Sequence, residues 1–213
     1  MLHFSKEINQ NPTDIYNNPA LTKGDIMIYM ELNDDRSEKI YYSFKNYQIY
    51  VRKGLLSSYS DFAAPPHWHD DIEFISILSG EMQYNVNGEI ITLSKGQGIF
   101  VNSKALHFGF SDLHKECEFI CVLLHPLMLC SSAEIEREFV FPVLSNPNIP
   151  FIKLHDNVEW QKFILDCINQ IYHSKDKISA PLIISGLFFR IWSQIFENNP
   201  TNSTEKPNND LAI

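Results

Sequence analysis

Three side chains able to donate to a metal ion or to a bound organic molecule lie two and four residues apart in the run HWHDDIE, at His67, His69 and Glu73. Alternate side chains of an extended strand share a face, so His67, His69, Asp71, Glu73, Ile75 and Ile77 fall on one side and Trp68, Asp70, Ile72, Phe74 and Leu78 on the other. The imidazoles and the carboxylate therefore converge on one wall. Nitrogen and carboxylate donors suit Zn, Fe, Ni or Mn, and the same groups suit a metal-free pocket where they hydrogen-bond an organic ligand or one another. Asp70 and Asp71 add negative charge that favours a cation, although Asp70, on the other parity, reads as a solvated turn residue. Both faces of the strand also carry apolar residues, which predicts cover on both sides.

Such a wall needs a closed scaffold, and the chain downstream supplies short strands joined by tight turns. Ser79-Gly80 reads as a turn, residues 81–86 as a strand, and Asn87-Gly88 as a hairpin reversal, because a type I′ turn requires positive φ at both central positions. Residues 89–93 return, Ser94-Lys95-Gly96 turns again, and 98–102 forms the next strand. The apolar run ECEFICVLL at 116–124 closes the set before His125-Pro126 ends it. Strands this short cannot each bury a face alone, so they must close into a sandwich or barrel.

The spacing H-x-H, three residues, E, six residues, G, met by His67, His69, Glu73 and Gly80, resembles the first motif of the cupin superfamily. The second cupin motif is about half kept: Gly96 and His107 fall in register, while Asn102 and Lys104 stand where the motif has Pro and Gly, and Ser111 where it has Asn. In metal-binding cupins the two His, the Glu and the later His are the ligands, so the resemblance implies His67, His69, Glu73 and His107 as the metal set. The fold expected is mainly β with C-terminal helices: a cupin-like double-stranded β-barrel followed by a helical hairpin.

Residues 1–36 read as an N-terminal arm with a strand at 26–30, either lying over the barrel mouth or solvated. Residues 37–130 are the barrel. Within it, 40–51 reads as one bent strand or two short ones around Lys45-Asn46, rich in tyrosine. Tyr41, Tyr42, Tyr47, Tyr50 and Tyr59 could line a sugar-binding cavity, since an aromatic face stacks on C–H groups while its hydroxyl hydrogen-bonds. Tyr41 and Tyr84 join the two His, Glu73 and His107 as expected ligand contacts.

Residues 131–197 read as a helical region. It opens with a capping box at 131–134 and a helix to about Val140, and a short strand follows at 151–154. A helix with Asp156 as N-cap then runs to Tyr172, its stripe of Trp160, Phe163, Ile164, Cys167, Ile168 and Ile171 forming a packing seam. A second helix from about Ala180 is apolar on more than one face, so it needs cover on two sides, and Phe188, Trp192 and Ile195 are the expected contacts of a dimer. Residues 198–213 have the composition of a polar linker or tail, and a linker should lead to something further.

Composition narrows the partners. With 44% hydrophobic and 20% charged residues in 213, the chain is ordinary globular material. A net charge of -9, with 17 Lys and Arg scattered singly, gives no basic stripe, so this chain by itself should bind DNA poorly. Cys117, Cys121, Cys130 and Cys167 lack C-x-x-C spacing and read as reduced buried thiols of a cytoplasmic protein. No apolar region follows Met1, so a secretory signal is not expected, and the longest apolar run, at 119–129, is far too short to span a bilayer.

A barrel, a helical hairpin and a polar linker in that order resemble the N-terminal effector-binding and dimerisation domain of AraC-type bacterial transcription regulators. The likeness is greatest over HWHDDIEFISILSGEMQYNVNGEIITLSKGQGIFVNSKALHF and continues weakly to about Phe196. It implies a small-molecule effector, a sugar or organic acid, bound in the barrel, and a homodimer. DNA contact would come only through a C-terminal helix-turn-helix half missing from this chain, and no catalysis and no required cofactor are implied. The effector would act by favouring one arrangement of arm, barrel and helices over another. The rival reading is a metal-dependent cupin enzyme, a dioxygenase or sugar isomerase, using the same four residues with open metal positions. Asn102, Lys104, the helical hairpin and the linker weigh against it. The effector's identity stays open among neutral sugars, sugar acids and aromatic acids.

Overall fold

The structure, a computed structural model, describes residues 30–199. Apart from Met30, the strand expected at 26–30 lies outside them, as do most of the arm and nearly all of the tail.

Among the described residues seven strands pair antiparallel throughout: β1 (Ile49–Leu55), β2 (Ile72–Val86), β3 (Glu89–Ser94), β4 (Gln97–Val101), β5 (His107–Phe110), β6 (Cys117–Leu124) and β7 (Phe151–His155). Five run side by side in the order β1-β6-β2-β4-β7, and β3 and β5 pair with the far half of β2. β2 is thus common to both groups. The turn expected at Ser79-Gly80 is a bulge inside this one continuous strand. Its register against β6 slips between Ile77 and Ser79, and Gly80 has φ 77° at a point where a Cβ would strike the carbonyl oxygen of Glu116. A left-handed glycine bends a strand as readily as it reverses one, so the chain continues and changes partners. Asn87-Gly88 does reverse it: Val86 pairs with Glu89 across just these two residues, whose φ values are 51° and 93°.

The cover on both faces of β2 has a cause in layers. Ile72 and Phe74 point out of the barrel into a core shared with the helices, whereas Ile75 and Ile77 point into the barrel. Residues 40–48 form no strand of their own. A bridge between Phe44 and Tyr47 closes a turn at Lys45-Asn46, where Asn46 has φ 71°, and β1 begins only at Ile49.

The helices are α1 (Ala133–Ile135), a π turn (Glu136–Val140), α2 (Phe141–Leu144), α3 (Glu159–Ser174) and α4 (Ala180–Glu197). Ser132 caps the first, its Oγ accepting from Ile135 N at 3.3 Å, and the helical run passes the expected end at Val140 to reach Leu144. Asp156 is not the cap of α3. Val158 holds that position without a side-chain bond, and the Asp156 carboxylate lies over Gly96. β7, from within the helical region, pairs with β4 and carries the sheet onward.

Phe188, Trp192 and Ile195, expected at a dimer contact, are 0%, 4% and 0% exposed within the single chain. They pack with Phe74, Phe100 and Val122 of the sheet and with Ile164 and Ile168 of α3, and Trp192 Nε1 donates to Phe139 O at 2.9 Å. Barrel and α3 supply both sides of cover, so these three residues are core. The outward face of α4 instead shows Leu182 and Phe189, 77% and 40% exposed.

Candidate functional site

The histidines reach the barrel interior by a route other than one straight strand. His67 sits in an isolated bridge with His107, which donates N–H to His67 O at 2.8 Å and accepts at 3.2 Å in return. A bend at Asp70-Asp71 follows, and regular β2 begins at Ile72. Lys104 N donates to His69 O at 2.8 Å, so the turn before β5 ties the second histidine to the strand carrying the third. The result is the convergence that strand parity and the cupin likeness imply. His67, His69, Glu73 and His107 are all buried, and one donor atom from each lies within 4.8 Å of the others.

Each imidazole is oriented by its own backbone. Nδ1 of His67 bonds Pro65 O at 2.9 Å, that of His69 bonds Asp71 O at 2.9 Å, and that of His107 bonds Ala105 O at 2.8 Å. A carbonyl oxygen only accepts, so Nδ1 carries the proton in all three rings and, in the neutral ring, Nε2 turns a lone pair inward. The Nε2 atoms of His69 and His107 are buried with no hydrogen-bond partner. Glu73 Oε2 faces them at 3.7 and 3.5 Å, while its Oε1 accepts from the buried Tyr84 hydroxyl. Cys121 Sγ, at 3.8 Å, also points at Oε2.

Burial opposes charge on Glu73, but the facing His107 and His69 outweigh it and hold the carboxyl well below the usual range. Burial also opposes charge on His69, and attraction to Glu73 overcomes it and raises the pKa. His67 goes the other way. Burial, reinforced by His107, pushes it down to about 3, leaving a neutral donor.

The donor set fits a divalent transition cation. Orphaned, buried Nε2 atoms are costly unless something accepts their lone pairs, and backbone-fixed imidazoles are the arrangement that orients metal ligands. Two ligands with bonds of about 2.0–2.2 Å stand about 2.9–4.2 Å apart across a cation. The 3.5 and 3.7 Å separations fall inside that window, and the widest pairs close by about half an ångström to meet it.

A cavity of about 480 Å³ lies beside this cluster and is lined by His67 and Glu73 from it, with Tyr50, Arg52, Tyr59, Ile75 and Phe119 on its walls. Among the tyrosines expected there, Tyr84 lies at its base and Tyr41 at its exposed rim, donating to Glu31. Tyr50 and Tyr59 line it, and Tyr59 accepts from Arg52 at 2.9 Å. Tyr42 and Tyr47 do not: Tyr42 bonds the Asp71 carboxylate at 3.1 and 3.2 Å, and Tyr47 is exposed.

One site residue escaped the sequence reading. Glu38 lines the cavity with Oε2 3.7 Å from His67 Nε2, and burial raises its pKa. It comes from a polar stretch without periodicity, so no pattern announces it.

The departures from the cupin motif have structural reasons. Asn102, in place of Pro, donates through Nδ2 to Val143 O and Ile149 O, both at 3.0 Å, and so holds the 143–149 segment against the barrel. Lys104, in place of Gly, keeps the left-handed conformation that glycine favours, with φ 65°.

An antiparallel sheet folded about a polar cavity through the bent strand β2, and backed by two packed helices, defines a cupin-like ligand-binding domain. The AraC-like ligand binding domain family matches residues 53–191, more than half of the chain, and the chain belongs to that family. It is 36% identical over 107 residues to the uncharacterized HTH-type transcriptional regulator YdeC of Bacillus subtilis (strain 168), a match covering 50% of this chain and 36% of that protein. Among solved structures, it is similar to an RmlC-like cupin from Shewanella frigidimarina NCIMB 400, at 20% identity and TM-score 0.32 over 37% of this chain and 68% of that one. A salicylate 1,2-dioxygenase from Pseudaminobacter salicylatoxidans matches at 22% identity and TM-score 0.33, over 36% of this chain and 22% of that one.

Proposed function

We propose that this chain is the effector-sensing and dimerisation part of a bacterial AraC-type transcription regulator. The observation that carries the reading is the cavity beside the histidine cluster, polar where His67, Glu73 and Tyr84 line it and apolar along Ile75 and Phe119, in a domain of a ligand-binding family. Such a pocket suits a small sugar or organic acid whose polar end meets the cluster. DNA binding belongs to a helix-turn-helix half beyond these residues, in keeping with the regulator the chain resembles and with its net charge of -9.

A divalent cation, Zn, Ni, Fe or Mn, would be held by the three Nε2 atoms and Glu73 Oε2. When bound it would supply a Lewis-acid anchor for an oxygen of the effector. The chain's own residues do the rest: Tyr84 holds Glu73 in place, and the backbone carbonyls fix the imidazole tautomers. Dimerisation falls to the outward face of α4, where Leu182 and Phe189 are exposed. Among the described residues no helix is long and apolar enough to cross a membrane, and the proposed setting is the cytoplasm.

The test is elemental analysis of the purified chain followed by thermal melting with panels of sugars and organic acids. A melting shift with one of these compounds and no turnover supports the sensor. Stoichiometric iron or manganese with turnover of substrate favours the second reading, a metal-dependent dioxygenase or isomerase, for which the cupin-type donor set is the supporting observation.

A further inference from the structure

We propose that Glu38, which lies outside the four-residue set but beside His67, meets the cation at this site through one of its waters. By that contact it fastens the segment 31–41 over the cavity when the cluster is filled. The inference rests on the cation reading above. It gives that reading a consequence outside the barrel.

The geometry comes first. Glu38 Oε2 stands 3.7 Å from His67 Nε2, the same separation as Glu73 Oε2 from His69 Nε2, and its carboxylate is on the cavity wall. Charge is the second argument. Three neutral imidazoles and one carboxylate leave a dication with net positive charge in a buried pocket, a costly arrangement that a second carboxylate would neutralise.

The third argument is the coupling. Trp68, between the two histidines in sequence, is fastened to the segment that carries Glu38. Glu38 N donates to Trp68 O at 2.9 Å, Trp68 N to Arg36 O at 3.2 Å, and Trp68 Nε1 to Asp35 O at 2.9 Å. The segment is also closed on itself, with Asn33 N bonded to Ser37 O and Lys39 N to Glu31 O, both at 2.9 Å, around Arg36 at φ 67°. A loop tied internally and clipped to the histidine-bearing peptide moves with that peptide as a unit. Binding that draws the histidines together therefore acts on 31–41, the stretch that leads from the N-terminal arm into the barrel.

The experiment uses the full chain stripped of metal and titrated with Zn²⁺ by calorimetry, together with hydrogen exchange at 31–41. The wild type is expected to bind zinc and to slow exchange in 31–41 at least tenfold. Glu38→Gln should weaken binding by about 10- to 100-fold, the usual effect of losing a supporting group at a metal site, and remove the slowing. Asp34→Asn, in the same loop but exposed and off the cavity wall, should change neither. Glu38→Asp, charged but one methylene shorter, replaces the amide variant if that variant fails to fold, and should bind more weakly than wild type. Zinc bound with wild-type affinity by the Glu38 variant, or slowing that persists in it, overturns the inference alone, provided Glu73→Gln still abolishes binding. A wild type that binds no divalent transition metal overturns the cation reading and this inference together.

Discussion

The two faces of the central sheet are buried to similar depth but filled with different chemistry. Inward, Ile75, Ile77, Val101 and Leu123 share their space with three histidines, Glu73, Tyr84 and a cavity of about 480 Å³. Outward, Phe74, Phe100, Val122, Ile168, Phe188 and Ile195 interlock with the helices as an aliphatic and aromatic layer. Empty volume and unpartnered polar atoms both weaken a core, so the inner layer is less well packed for stability than the outer one. The difference assigns stability mainly to the sheet–helix layer and leaves the barrel interior free to keep groups whose partners arrive with a ligand.

Substitutions on either side can break that division. The largest effect is expected from Phe188→Ala, which empties the outer layer and should cost about 3–5 kcal/mol in denaturant unfolding. Next comes zinc itself. At one hundred times its dissociation constant it should stabilise the wild type by about 2.7 kcal/mol, and in Glu73→Gln that gain should vanish while metal-free stability falls by about 1–3 kcal/mol, because the facing imidazoles lose their carboxylate. A metal-free Glu73→Gln protein destabilised as much as Phe188→Ala would end the comparison. Gly98→Ala sharpens it, because a Cβ there would meet the carbonyl oxygen of Ile75 and stand 2.8 Å from Leu165 Cδ2 on α3. It should cost about 1–3 kcal/mol and leave zinc affinity unchanged. Smallest is Lys104→Gly. It relieves about 1–2 kcal/mol of left-handed strain against about 0.5–1 kcal/mol of added chain entropy, a net gain of up to about 1.5 kcal/mol readable as a higher Tm.

Much of the inner layer was legible in the sequence because its signals are local. Asn87-Gly88 sits in a two-residue turn that demands positive φ, and the spacing of His67, His69 and Glu73 survives even though the first two precede the regular strand. Gly80 was misread because a bulge and a turn draw on the same left-handed glycine. Phe188, Trp192 and Ile195 were misassigned for a related reason: hydrophobic periodicity says that a face is covered, never by which surface. Glu38 was invisible because its role comes from a long-range pairing with Trp68 that leaves no periodic trace.

The single long strand β2 carries Glu73 near one end and Tyr84 near the other, both directed into the cavity. The step from Glu73 to Tyr84 is odd, so the bulge between Ile77 and Ser79 is what returns Tyr84 to the face of Glu73, and gaining or losing one residue there would turn one of the pair outward while the other kept its aim. Insertions and deletions in this segment are therefore expected to be selected against, whereas lengthening at the exposed tip at Asn87-Gly88 would leave both aims in place. Homologues should differ in length at that hairpin and hold constant the eleven-residue step from one site side chain to the other.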